Sequence, residues 1–301
     1  MPTPINITFL GTSQAIPTAK RNHTSILLQY AGENILVDCG EGTQRQFRKA
    51  HLNPCKITRL LITHWHGDHI LGIAGLLQTL LLNAYSKTLY VYGPKGTKQD
   101  LNELIKLLVP YNKIPIVVQE VSEGKFFENK EFYLESSPLQ HSIPCNAYAF
   151  VEKGKIRLDR AKLKKLKLPN SPLIGQLQQG KDIEFNGKKI KAKDIIYKTE
   201  DKKISFILDT KLVENCHKIA KDSEVVISEA VYLNDEKDLA SLHEHLTAEQ
   251  AGEIAKKAGA KKLYLSHLSQ RYDGNEKLIL KEAKKKFKNT IVAEDLMSIG
   301  V

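Results

Sequence analysis

Cysteine is scarce in this sequence and badly spaced for cross-linking. Cys39, Cys55, Cys145 and Cys216 lie far apart in a chain of 301 residues, and no two form a Cys-x-x-Cys pair. That argues against a disulfide framework and for a reducing, cytoplasmic setting. Long apolar runs are missing too. The longest, 70–82, is interrupted by Gln78 and falls short of the ~20 residues that span a bilayer, so no membrane segment is expected. Residues 1–10 have neither a basic start nor a cleavable apolar stretch, and a secretory signal is not expected. The chain does not lack Leu, Ile and Val as a disordered one would. It is 42% hydrophobic and 26% charged, enough for one large layered α/β domain or two ordinary ones. Acidic residues are outnumbered, 34 against 45 Lys and Arg, for a net charge of +11. A polyanionic partner is the natural suggestion, nucleic acid before a membrane surface.

Alternation of apolar runs with turn residues predicts strands over 5–10, 25–30 and 34–38, the last two joined by Ala31-Gly32-Glu33. A short helix is expected over 42–50, a buried strand over 59–62 and a helix over 69–84. Further strands are expected over 89–92, 114–120, 132–137 and 146–152. The texture then changes. Residues 153–167 hold eight Lys or Arg and one acid, Asp159, followed by the turn-rich stretch 168–180. The pattern reads as one domain, 1–301, with an insertion at about 153–193 that projects from the body. Regular alternation resumes at Ile204.

The densest chemistry is Thr63-His64-Trp65-His66-Gly67-Asp68-His69, directly after the apolar strand 59–62. Three imidazoles and a carboxylate in six residues are metal-ligand density, suited to zinc and related ions. Four ligands cannot fill two metals, but the same local grammar recurs. Apolar strands close on His141, on Asp209 and on His267. Seven ligands (His64, His66, Asp68, His69, His141, Asp209 and His267) complete a dinuclear centre, with Asp209 as the natural bridge because a carboxylate has two oxygens to share. Such a centre acidifies a bound water and stabilises both oxygens of a displacement. Hydrolysis of a phosphodiester, thioester, lactone or amide all fit, and the ligands do not select among them.

Other blocks narrow the choice. Phe9-Leu-Gly-Thr-Ser13 with Pro17 and Arg21-Asn22, Asp38-Cys-Gly-Glu-Gly-Thr-Gln44, Gly93-Pro-Lys-Gly-Thr97, His245-Leu-Thr247, Ser269-Gln-Arg-Tyr272 and Ala293-Glu-Asp-Leu-Met297 run in order along the chain. With the histidine run, they resemble the ribonuclease Z family of tRNA 3′-processing endonucleases, in the metallo-β-lactamase superfamily. The resemblance implies a four-layer αββα sandwich of the metallo-β-lactamase type with a protruding basic arm. It implies two zinc ions per subunit, one held by His64, His66 and His141, the other by Asp68, His69 and His267, with Asp209 between them. Asp68 would also accept the proton of the attacking water, and His245, oriented by Glu229, would protonate the leaving 3′ oxygen. Read from the residues alone, His245 is an exposed residue ahead of a helix that Thr247 caps. The basic stretch (Lys153, Lys155, Arg157, Arg160, Lys162, Lys164, Lys165 and Lys167) stands where the family's arm grips the tRNA elbow. The implied substrate is precursor tRNA, the implied assembly a homodimer, and the implied products a 3′-hydroxyl on the tRNA and a 5′-phosphate on the trailer. The chain departs from the family at Ser171, where a Gly is expected, and at Ser228-Glu-Ala-Val231, where the family has His-Glu-Ala-Thr. His23, His51, His217 and His243 fall outside the set and read as structural or surface residues. The rival enzymatic reading is a metal-dependent phosphodiesterase or thioesterase acting on small substrates. A non-catalytic RNA-binding module would need a broken ligand set.

Overall fold

The computed structural model describes residues 4–166, 168 and 171–301. Lys167 of the basic stretch, and Pro169 and Asn170 after it, lie outside the described residues. The chain divides into two compact units. The first comprises Met1–Glu128, Leu134–Phe150 and Lys203–Val301, the second Asn129–Tyr133 and Val151–Lys202.

The first unit is built on two seven-stranded sheets. In one, the strands run Ser298–Gly300, Asn6–Gly11, Ser25–Tyr30, Glu33–Val37, Arg59–Leu61, Leu89–Gly93, Ile116–Glu120. Its first four are antiparallel, and from Glu33–Val37 onward it is parallel. Ala31 and Gly32, at φ 48° and 86°, make the hairpin turn the sequence signals, which needs positive φ at both positions. In the other sheet the order is Thr290–Val292, Lys262–Ser266, Val225–Glu229, Lys202–Ile207, Asn146–Glu152, Phe132–Pro138, Gly124–Glu128. Its first four strands are parallel. The sheets meet through aromatic rings: Phe9 lies 5.7 Å from Tyr264, and Tyr30 lies 5.3 Å from Phe150. Helices cover the outer faces. Leu76, Leu77 and Leu80 of the helix Gly72–Leu82 share a buried cluster with Leu36, Leu60 and Val91. Ala251, Ile254 and Ala255 of Ala248–Lys257, with Ile279 and Ala283 of Glu276–Lys286, share another with Val226, Leu263 and Leu265. The order is therefore helix, sheet, sheet, helix.

The parallel registers align the strand ends. Val37 is level with Leu61, Ile207 with Ser228, and Glu229 with Ser266. Within each parallel set the carboxyl ends therefore reach one edge, where open α/β sheets assemble their sites.

The helix expected over 69–84 is two helices, Gly67–Ile70 and Gly72–Leu82. The chain beyond the strand Glu33–Val37 explains the break. Cys39 N–H donates to His69 O at 2.7 Å, and Cys39 O accepts from Gly72 N–H at 2.9 Å, so one residue of the loop captures both polar groups. A Cβ on Gly72 would stand 2.0 Å from Gly40 O, so only glycine admits this approach. The helix Thr97–Leu108 and the strand Gly124–Glu128 lie outside the expectations from sequence.

The second unit has a small core of its own. Leu177, Ile183, Ile190, Ala192 and Ile195 are buried, with Leu158, Leu163, Leu173 and Phe185 packed against them. The helix Arg160–Lys165 starts at Asp159, whose carboxylate accepts from Ala161 N–H and Lys162 N–H at 3.0 and 3.1 Å. That cap satisfies two of the four donors that a helix start leaves open.

Candidate metal centre

Four of the seven candidate donors stand just past a strand end. His64 follows Arg59–Leu61, His141 follows Phe132–Pro138, Asp209 follows Lys202–Ile207 and His267 follows Lys262–Ser266. Asp68 and His69 sit in the first turn of the helix Gly67–Ile70. Asp38, beyond Glu33–Val37, and His267 both leave their strands in the left-handed region, at φ 56° and 53°. That conformation costs a non-glycine residue about 1–3 kcal/mol and persists only where the surroundings enforce it.

Four of the histidines, His64, His69, His141 and His267, are held through Nδ1 and turn Nε2 inward, whereas His66 turns Nδ1 inward with its Nε2 3.3 Å from Ser142 Oγ. His69 Nδ1 lies 2.6 Å from Asp38 Oδ2. The same carboxylate accepts from Thr63 N–H and Thr63 Oγ1, each at 2.7 Å. Because the Thr63 hydroxyl donates to Asp38, its oxygen is left to accept from His64 Nδ1, 3.0 Å away. Thr24 Oγ1 likewise donates to Ser13 O at 2.9 Å and accepts from His267 Nδ1 at 2.7 Å. His141 Nδ1 lies 3.2 Å from Glu244 O. These bonds fix the tautomer that presents Nε2 as a lone-pair donor, the usual support of a metal-ligating imidazole. Asp38, Thr24 and Thr63 were not among the residues the sequence singled out. Asp38 and Thr63 lie in quoted blocks, but nothing there marks either from an ordinary turn residue.

Among the described residues three donor groups result, two with no residue in common and a third, His141, Asp209 and His245, that draws on both. In the first, His66 Nδ1 faces His64 Nε2 at 3.0 Å and His141 Nε2 at 3.2 Å. A single proton on one of them cannot satisfy three converging ring nitrogens. A tetrahedral ion at typical zinc–nitrogen distances of about 2.0–2.1 Å spaces its ligands about 3.3–3.4 Å apart, close to what is seen. The second group is Asp68, His69, Asp209 and His267. Asp209 Oδ1 stands 2.9 Å from His267 Nε2 and 3.3 Å from His69 Nε2, and Asp68 Oδ2 stands 3.4 Å from His69 Nε2. Buried Asp209 Oδ1, His69 Nε2 and His267 Nε2 make no hydrogen bond among the described residues, although such atoms rarely stay unpaired. Asp209 Oδ2 turns to the first group, 3.8 Å from His64 Nε2 and 4.0 Å from His141 Nε2. One carboxylate thus gives an oxygen to each group. The donors fit metal ions better than they fit one another.

The electrostatics favour positive charge at the second group, where burial would lower His69 but Asp209, Asp38 and Asp68 overcome it and push the imidazole well up. Burial pushes His64 well down, and neighbouring His69 adds to it. For Asp68, burial would raise the carboxyl, but His69 and His267 outweigh it and hold it below the usual range. Asp209 is held well below as well, burial again being overcome by His267 and His69.

Beside these groups, His245 Nδ1 faces both oxygens of Glu229 at 3.2 Å. Glu229 is fully buried and also accepts from Thr210 N–H at 2.7 Å and Leu246 N–H at 3.0 Å. Burial would lower the imidazole, but Glu229 pushes it up to about 9. His245 lines a 380 Å³ pocket with His66, Asp68, His141 and Asp209. Ser228 and Val231, where the chain departs from the family block, are both buried.

Of the basic stretch, Arg160, Lys164 and Lys165 are exposed. Lys153 is held by Asn129 O at 2.6 Å, and Lys155 by Glu152 and Glu131 at 3.2 and 3.3 Å. Lys162 reaches Asp194 O at 2.8 Å, and Arg157 is half-buried.

A family model described as anti-Pycsar protein Apyc1 matches residues 5–151. A ribonuclease Z from Methanothermobacter thermautotrophicus is 39% identical over 99% of this chain and 97% of its own length. One from Bacillus cereus is 37% identical, covering 97% of this chain and 98% of that protein. Among solved structures, the short form of human tRNase Z is similar with a TM-score of 0.71 and 27% identity, covering 98% of each chain. The metallo-β-lactamase fold protein YhfI from Bacillus subtilis shares the fold at a TM-score of 0.72 and 19% identity, over 99% of this chain and all of that one.

Proposed function

The chain belongs to the ribonuclease Z family, and from that premise we propose that it is a metal-dependent endoribonuclease that removes the 3′ trailer of precursor tRNA. The observation that carries the reading is Asp209, with one oxygen toward each of two donor groups in a chain similar from end to end to ribonuclease Z. His64, His66 and His141 would hold one zinc ion and Asp68, His69 and His267 the other, with Asp209 between them. When bound, such a pair of ions acidifies water and neutralises charge on the phosphate oxygens.

The protein's own groups handle the protons. Asp68, kept ionised by its imidazole neighbours, accepts a proton from the attacking water. A bond forms between the water oxygen and phosphorus, and the bond from phosphorus to the 3′ oxygen breaks. His245 carries its proton on the side away from Glu229 and gives it to that departing oxygen, leaving a 3′-hydroxyl on the tRNA and a 5′-phosphate on the trailer. Glu229 steadies the charged imidazole until then. A positioned acid of this kind contributes about 10²–10⁴ in rate.

The basic residues of the second unit would hold the folded tRNA through its phosphates. RNA helices are read largely by shape and backbone, which Lys and Arg suit. The working form would be a cytoplasmic homodimer, as is common in the family. The test is turnover of a labelled precursor tRNA beside a thioester substrate, with analysis of product ends and metal content. Trailer release with a 3′-hydroxyl supports the reading. Thioester turnover with the tRNA untouched overturns it.

A further inference from the structure

His243 reads from sequence as a surface residue, and the structure gives it a setting that none of the proton transfers uses. It closes the helix Lys237–Leu242, with its N–H donating to Leu239 O at 2.9 Å. Its imidazole is exposed, belongs to none of the candidate donor groups, and makes no hydrogen bond among the described residues. The ring lies nearly parallel to that of Tyr232, 11° between planes and 6.4 Å between centroids. Tyr232 is a fixed backing. It is buried, and the Arg271 guanidinium lies 5.5 Å from its ring while pairing with Glu236 at 2.9 Å. The flat surface adjoins the chemistry. His243, Tyr232 and the exposed Leu242 line the same pocket as His245, whose ring is 6.2 Å from that of Tyr232.

We propose that His243, backed by Tyr232, is the face on which one base of the RNA stacks, and that this base belongs to the nucleotide whose 3′ oxygen departs. The side follows from the proton. His245 must reach that oxygen, and the oxygen belongs to the last nucleotide of the tRNA. A stacking face two residues away in the same loop is placed for that nucleotide's base. Aromatic faces accept any base, so the contact sets position without reading sequence. The inference rests on the precursor-tRNA reading of the site.

The experiment compares wild type, H243A and H243F on precursor tRNA, and on the same RNA with an abasic residue as the last tRNA nucleotide. H243A is expected to raise KM about five- to tenfold with kcat little changed, the scale of one lost stacking contact. H243F, which keeps a flat ring, is expected to restore KM. The abasic RNA should cost the wild type a similar factor and cost H243A nothing further. Equal impairment of H243A and H243F, an unchanged KM in H243A, or a full abasic penalty persisting in H243A each overturn the stacking role. A wild type that leaves precursor tRNA uncut overturns the functional reading itself, and this inference with it.

Discussion

At the scale of single residues, the centre depends on side chains that would touch no ion. Asp38 accepts three hydrogen bonds and fixes His69, so its charge and both oxygens are in use. D38N is expected to weaken metal binding about 10–100-fold, the usual effect of losing a group that orients a ligand. Competition with a chelating dye measures it, and affinity equal to wild type would remove Asp38 from this role. Glu229, in the proposed reaction, would act on a proton instead. With His245 pushed up to about 9, the imidazole keeps its proton at neutral pH and loses it only as pH rises through that value. E229Q removes the negative charge, so the imidazole returns toward its ordinary value near 6.5. Turnover should fall by about 10² at neutral pH, with the alkaline limb moving to lower pH. A rate–pH profile with an unmoved limb would show that Glu229 does not control this proton.

At the scale of elements, what was legible in the sequence follows from how local each signal is. The run from His64 to His69 announces itself because one turn carries it. His141, Asp209 and His267 are legible because each closes an apolar run, and parallel strands bring their carboxyl ends to one edge. Thr24 and Thr63 are not legible, because a threonine that holds an imidazole looks in sequence like any strand residue. The break at Leu71 was hidden for a related reason. Its cause is Cys39, about thirty residues away, which hydrogen-bonds to His69 O and Gly72 N–H. That close passage makes Gly72 an exacting glycine near the centre. G72A should destabilise the fold by about 2–3 kcal/mol, as overpacking against fixed backbone does, and should loosen metal binding with it. G175A supplies the contrast. Gly175 lies in the helix Pro172–Gln178 with nothing among the described residues within 4 Å of an added Cβ, so the change should stabilise by about 0.5–1 kcal/mol. Denaturant unfolding of both variants checks the pair, and a neutral G72A would show that the loop can yield.

At the scale of the whole molecule, the excess positive charge fits a polyanionic substrate. Arg160, Lys164 and Lys165 are exposed, whereas Lys153 and Lys155 are engaged by neighbouring acceptors. The dense lysine pattern of this stretch hid the second unit's small apolar core, because Leu158, Leu163 and Leu166 are spaced among charges. R160E/K164E/K165E should weaken precursor-tRNA binding and lower the slope of log affinity against log salt by about two, since each phosphate contact contributes about 0.7–0.9. Binding titrations at several salt concentrations test this, and an unchanged slope would move the RNA contact elsewhere.

The shared carboxylate of Asp209 carries a consequence for assembly. In the proposed two-ion centre the first cation would hold in place the Asp209 carboxylate that the second requires, so occupancy should be cooperative. Native mass spectrometry at half-saturating zinc is expected to show empty and doubly filled chains, with few carrying one ion. An abundant singly filled species would mean that the two halves fill independently.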